Sequence, residues 1–144
     1  MIAGDNARRS RTDKARRKKR SGVKILEDVL GMGEKVQRQR WYRLTLRAWL
    51  NNRQPVIWKE PFGLCDHGPH ISDNGKAMTA DFRYDRVFLI AGLFYGIEGM
   101  RVGGKRTLKI SPHLAYRDKR IEGVIPPNAV LEIEVKIHKE RTEF

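Results

Sequence analysis

Two stretches of strict alternation decide most of what this chain can become. From Trp41 to Leu50, Tyr42, Leu44, Leu46, Ala48 and Leu50 fall on one side of an extended chain, and Arg43, Thr45, Arg47 and Trp49 on the other. From Val130 to His138 the pattern returns: Leu131, Ile133, Val135 and Ile137 alternate with Glu132, Glu134, Lys136 and His138. A period of two, apolar on one face and polar on the other, marks a strand half buried in an antiparallel sheet. Such strands need a second layer over their apolar face.

The rest of the chain supplies that layer and further strands. Val23 to Leu30 is apolar enough for a strand or a turn of helix, and periodicity does not separate the two. Gly31-Met32-Gly33 breaks it. Asn51-Asn52-Arg53 reads as a turn, and Pro55 to Trp58 as a further extended run. Met78 to Ile90 reads as strand, then turn. Leu93 to Met100 reads as a short helix that puts Leu93, Ile97 and Met100 on one face and Tyr95 and Glu98 on another. A Gly103-Gly104 turn leads into a strand over Arg106 to Ile110. About five strands and one short helix give an α+β architecture, an antiparallel sheet with the helix on its apolar face.

Two apparent motifs carry no chemistry. Residues 59–76 have two Pro, three Gly and no period, so they read as loop. Cys65, His67 and His70 lie within them, but the spacing matches no standard zinc signature, and no metal is expected. Gly99-x-x-x-x-Gly104-Lys105 begins like a phosphate-binding loop. The next residue is Arg106 rather than Ser or Thr, and a strand follows where a helix N-terminus is required. No nucleotide or other cofactor is expected.

Charge points to a partner. The formal net charge is +13 in 144 residues. More than half sits in the first 21 residues, where Arg8, Arg9, Arg11, Lys14, Arg16, Arg17, Lys18, Lys19 and Arg20 face only Asp5 and Asp13. Beyond Met1 and Ile2 that segment has no large aliphatic residue, so it cannot fold alone. It reads as an arm, residues 1–22, that neutralises phosphates of RNA, ribosomal RNA included. A solvated tail and a nuclear-import signal are the competing readings. Trp41, Trp49 and Trp58 would add base stacking if exposed, and packing if not. A lone cysteine excludes an internal disulfide, no apolar run reaches membrane-spanning length, and the N-terminus lacks a signal-peptide core. The expectation is a soluble intracellular protein, cytoplasmic or, in a eukaryote, nuclear or nucleolar.

With these elements placed, the body, residues 23–144, resembles the FKBP-type peptidyl-prolyl isomerases. The resemblance rests on Gly-Leu-x-x-Gly-x-x-Gly-Met at 92–100, Val-Gly-Gly-Lys-Arg at 102–106, Ile-Ser-Pro at 110–112, Leu-Ala-Tyr at 114–116 and Gly-Val-Ile-Pro-Pro-Asn-Ala at 123–129. A weaker match covers Val23 to Trp58, and about residues 59–77 resemble a loop insertion. The resemblance implies a bent antiparallel sheet wrapped around one short helix, preceded here by the basic extension. It also implies a pocket that takes a proline side chain and speeds rotation about the preceding bond. That barrier, about 18–20 kcal/mol, is amide resonance, and an apolar site favours the less polar twisted state.

Carried over position by position, the pocket comprises Leu46, Val56, Ile57, Leu89, Ile90, Leu93, Tyr116, Ile121, Val124, Ile125 and Ile133. The family's indole falls at Leu93, its last-strand aromatic at Ile133, its early tyrosine at Leu46 and its Phe-Asp pair at Val56 and Ile57. Tyr116, the Leu89-Ile90 pair and Val124-Ile125 keep the pattern. The lining is therefore aliphatic where the family is aromatic. The expectation is a module with weak or no isomerase activity, held on RNA by its arm. The alternatives are an active isomerase serving nascent chains and a non-catalytic protein-interaction module.

Overall fold

Both alternating runs are strands, and they pair with each other at the centre of one sheet. The computed structural model describes residues 22–58, 70–87, 89–115 and 125–142. In chain order these form β1 (Val23–Val29), β2 (Trp41–Leu50), β3 (His70–Ser72), β4 (Ala77–Arg83), α1 (Ala91–Ile97), β5 (Lys105–Ile110) and β6 (Leu131–Arg141). The strands make one six-stranded sheet in the order β1-β5-β6-β2-β4-β3, antiparallel throughout.

One open reading is resolved and two expectations change. Val23–Val29 is a strand, because its backbone pairs with β5. The sheet has six strands rather than five. The sixth, β3, lies in the stretch read as loop and sets Ile71 opposite Met78 on the open side of β4. The helix runs from Ala91 to Ile97 rather than from Leu93 to Met100: Glu98 is extended and Gly99 follows at φ +87°, a conformation glycine adopts freely.

The core lies between α1 and the inner face of the sheet. Tyr42, Leu44, Leu46 and Ala48 of β2 are buried beside Leu131, Ile133, Val135 and Ile137 of β6 and Leu108 and Ile110 of β5. Leu93, Ile97 and Met100 close over them. A seven-residue helix is not stable alone, so packing must hold it. Gly92 and Gly96 allow that packing, one turn apart on the face against β5. A Cβ at Gly92 would come within 2.4 Å of Ile110 Cγ2, and one at Gly96 within 2.3 Å of Leu108 Cδ1.

The helix has no side-chain cap at its start, but its end is held from the sheet. Arg106 shares the inner face with Leu108 and Ile110 and is buried. Its Nη1 donates to the carbonyls of Gly96 (2.7 Å) and Glu98 (2.9 Å). Its Nε and Nη2 donate to the Asp28 carboxylate of β1 at 3.1 and 3.2 Å. Orphan carbonyls at a helix end are thus satisfied by a cation, the sign that end favours.

A second charge cluster sits on the outer face. Asp81 of β4 has no solvent exposure. It accepts from Arg43 Nε (2.9 Å) and Nη2 (3.2 Å), and from Arg141. Burial pushes its carboxyl up. Hydrogen bonds and positive charge from the two arginines outweigh that and hold it below its ordinary value of 3.8.

Two outcomes follow from these clusters. Arg106→Met keeps the aliphatic stem but leaves buried helix carbonyls unpaired, so it should cost about 2–4 kcal/mol in denaturant unfolding; a loss near zero would show that the clamp is dispensable. Because the native Asp81 pKa is depressed, its contribution is complete above the ordinary carboxylate value and drains as pH falls through the native one. Unfolding free energy measured from pH 6 downward should fall less steeply in Asp81→Asn than in the parent below about pH 4.

Candidate functional site

The positions that the family resemblance assigns to a proline pocket come together in part. Leu46 lies between Met78 of β4 and Val135 of β6. Ile133, in the next inward position, lies between Ala48 of β2 and Leu108 of β5. After the turn at Asn51-Asn52-Arg53, the Val56 N–H donates to the Ala48 carbonyl at 2.8 Å and brings Val56 back onto the core. Leu46, Val56, Leu89, Leu93, Ile125 and Ile133 belong to the buried cluster, each 5% exposed or less.

Ile57 stands apart, 38% exposed. Neighbours in an extended chain point to opposite sides, so Val56 and Ile57 cannot both face inward. Tyr116, Ile121 and Val124 lie outside the described residues. So do all nine arm cations (Arg8, Arg9, Arg11, Lys14, Arg16, Arg17, Lys18, Lys19 and Arg20), and Cys65 and His67 of the loop. His70 opens β3.

The turn between β4 and α1 is built by its own charges. Arg83 donates to the Asp85 carboxylate, which also takes the Val87 N–H at 3.0 Å. Arg86 Nη1 donates to the Leu89 carbonyl at 2.5 Å, and the Leu89 N–H is used on Asp85 at 3.1 Å. The Ile90 N–H, at the mouth of α1, has no acceptor among the described residues. Of the Leu89-Ile90 pair, only Ile90 therefore keeps a donor for an incoming carbonyl.

The described residues also frame a small cavity of about 10 Å³, bounded by Val36, Tyr42, Leu44, Phe82, Tyr84, Leu89, Ile97 and Ile137. Among the described residues, only Leu89 is shared with the resemblance positions. The β2–β6 pair lining it, Leu44 with Ile137, is displaced along the strands from Ala48 with Ile133. The cavity's polar atoms are engaged. The Tyr42 hydroxyl takes the Gln37 N–H at 2.8 Å, and burial pushes that phenol up. The Tyr84 hydroxyl donates to the Phe94 carbonyl at 2.9 Å, with the two rings 5.0 Å apart. The Arg38 guanidinium lies 5.3 Å over the Phe94 ring.

Sequence reasoning passed over Val36. Its signal was one apolar residue among Glu34, Lys35, Gln37 and Arg38, in a segment without a period. The backbone explains its burial, since Val36 N–H donates to Met100 and Val102 N–H donates to Glu34, both at 2.9 Å.

Among the described residues no three His, Cys, Asp or Glu side chains are grouped to hold a metal. No described helix is long and apolar enough to cross a membrane. The chemistry this interior offers is desolvation by apolar walls, with one free backbone donor beside them.

Known proteins share this arrangement. The profile of the FKBP-type peptidyl-prolyl cis-trans isomerase family matches residues 63–138. FK506-binding protein 2 of Candida glabrata is 41% identical over 75 residues, covering 46% of this chain and 55% of that protein. FK506-binding protein 1A of Neurospora crassa is 43% identical over 65 residues, covering 45% and 52%. The chain thus spans about half the length of these curated relatives. Among solved structures, the crystal structure of AtFKBP13 superposes with a TM-score of 0.61 at 24% identity, over 84% of this chain and 94% of that one. The six-stranded antiparallel sheet with its single short helix is the fold of that neighbour, and the chain belongs to the FKBP-type peptidyl-prolyl cis-trans isomerase family.

Proposed function

We propose that this protein is an FKBP-fold module with weak or no prolyl isomerase activity, anchored to RNA, most naturally ribosomal RNA, by its arm. The observation that carries the first half is the packing at Leu46, Leu93 and Ile133. These are the positions where the family resemblance calls for aromatic walls, and each is 5% exposed or less. A proline ring needs an opening lined by flat surfaces that strip water from the amide. At those positions the described side chains are aliphatic and buried, which supports a pocket without flat walls. The second half rests on the nine cations against two carboxylates in residues 1–21.

A second reading, an active isomerase delivered to nascent chains by the same arm, is favoured by family membership and by the Ile90 N–H. The two separate cleanly. In a proline-peptide exchange assay with folded protein, the proposal expects cis/trans relaxation at the buffer rate. Leu93→Trp alone should not raise it, because the indole would meet a filled core. A clear acceleration by the parent protein would establish the second reading instead.

The arm is tested by charge. Replacing Arg16, Arg17, Lys18, Lys19 and Arg20 with Gln in the full chain should flatten the plot of log affinity for single-stranded RNA against log salt. The slope should fall by about 3.5 if each cation meets one phosphate. An unchanged slope would remove the arm from the interface.

A further inference from the structure

The outer face of the sheet is not evenly charged. The β2–β6 register slips once: Arg43 pairs with Lys139 and Leu44 with Ile137, so His138 is the extra residue of a bulge. A bulge lets one strand present an additional side chain on the same side. Lys136, His138, Lys139 and Arg141 therefore all belong to the outer face. His138 Nε2 lies 2.5 Å from the Thr45 hydroxyl, itself 2.7 Å from the Thr79 hydroxyl.

Around this bulge cations gather without exposed acid between them. Lys105 of β5 stands directly opposite Lys136, and neither has an ion pair among the described residues. Like charges directly opposed across strands destabilise a sheet. The carboxylate of Asp81 is fully buried beneath Arg43 and Arg141, whose side chains are 38% and 22% exposed. Outer-face acids begin one position away: Glu134, half-buried, precedes Lys136 by two residues and stands opposite Arg47, Glu132 stands opposite Lys109, and the exposed Glu27 of β1 pairs with Thr107. Burial, then the charges of Lys136 and Arg43, hold the His138 imidazole below its ordinary value.

We infer that Lys105, Lys136 and Lys139, with Arg43 and Arg141, form a second contact for the phosphate backbone of RNA, on the folded domain itself. The Lys105–Lys136 pair, directly opposed across the strands and without an ion pair among the described residues, carries the inference. Phosphate oxygens between two ammonium groups convert a repulsion into two attractions and take hydrogen bonds from the neighbouring Thr45 and Thr79 hydroxyls. The inference rests on the RNA reading above and extends it from the arm to the sheet.

The test uses the full chain and a short single-stranded RNA of mixed sequence. Lys105→Gln combined with Lys136→Gln should lower the salt slope by about 1.4, two contacts at about 0.7 each. Thermal stability should be unchanged or higher, since a repulsion is removed. Lys24→Gln with Lys109→Gln is the control: these lysines are also cross-strand neighbours, but Lys109 has Glu132 on its other side. The control should leave the slope within about 0.3 of the parent. If both double variants lower the slope equally, net charge alone is at work and the assigned face is overturned. If the slope responds to the arm substitutions but not to Lys105 and Lys136, the face fails while the arm reading stands. If the parent chain binds no RNA, both fall.

Discussion

The Arg106 guanidinium ties three parts of the fold together. It reaches from β5 to the last carbonyls of α1 on one side and to Asp28 of β1 on the other. Neither partner is secure alone. A two-turn helix cannot hold itself in water, and β1 has a sheet neighbour on one side only. A buried cation is costly unless its donors are used, and here carbonyls and a carboxylate use four of them. The clamp, with Gly92 and Gly96 seated on Ile110 and Leu108, sets how closely the helix approaches the sheet.

The interior that results is apolar, family-like in outline and shifted in detail. Aromatic side chains have not vanished from the core. They stand at Tyr42, Phe82 and Tyr84, where they frame a different cavity along β2. The Tyr42 hydroxyl accepts from Gln37 and the Tyr84 hydroxyl donates to Phe94. Such a core keeps the scaffold while leaving the resemblance positions to aliphatic packing.

How much of this was legible depends on the range of the interaction. The inner faces of β2 and β6 could be read from alternation, because the period of a strand is local. The family motifs from Gly92 to Ala129 named the fold for the same reason, as short patterns with fixed spacing. A three-residue strand such as β3 is too short to show a period. The ion pairs were invisible because their partners are distant: Arg106 and Asp28 are 78 residues apart, Arg43 and Asp81 38. One trace was present. Alternation places Arg106 in line with Leu108 and Ile110, and a charge on an apolar face implies a buried partner. The bulge at His138 left no such trace, since it is a property of the pairing and not of either strand.

The position of β6 has a consequence for how the domain is made. Its residues, 131–141, are the last of the sheet to be synthesised, yet they lie third in the strand order, between β5 and β2. Until they emerge, β1–β5 and β2–β4–β3 are two fragments with no hydrogen bonds across the gap. Closing it joins segments at opposite ends of the body, a contact of high sequence separation and therefore slow to form. During that interval the inner faces of both fragments are open to solvent. A chain cut short before Leu131 would stay in that condition, with two exposed strand edges and no central strand to join them.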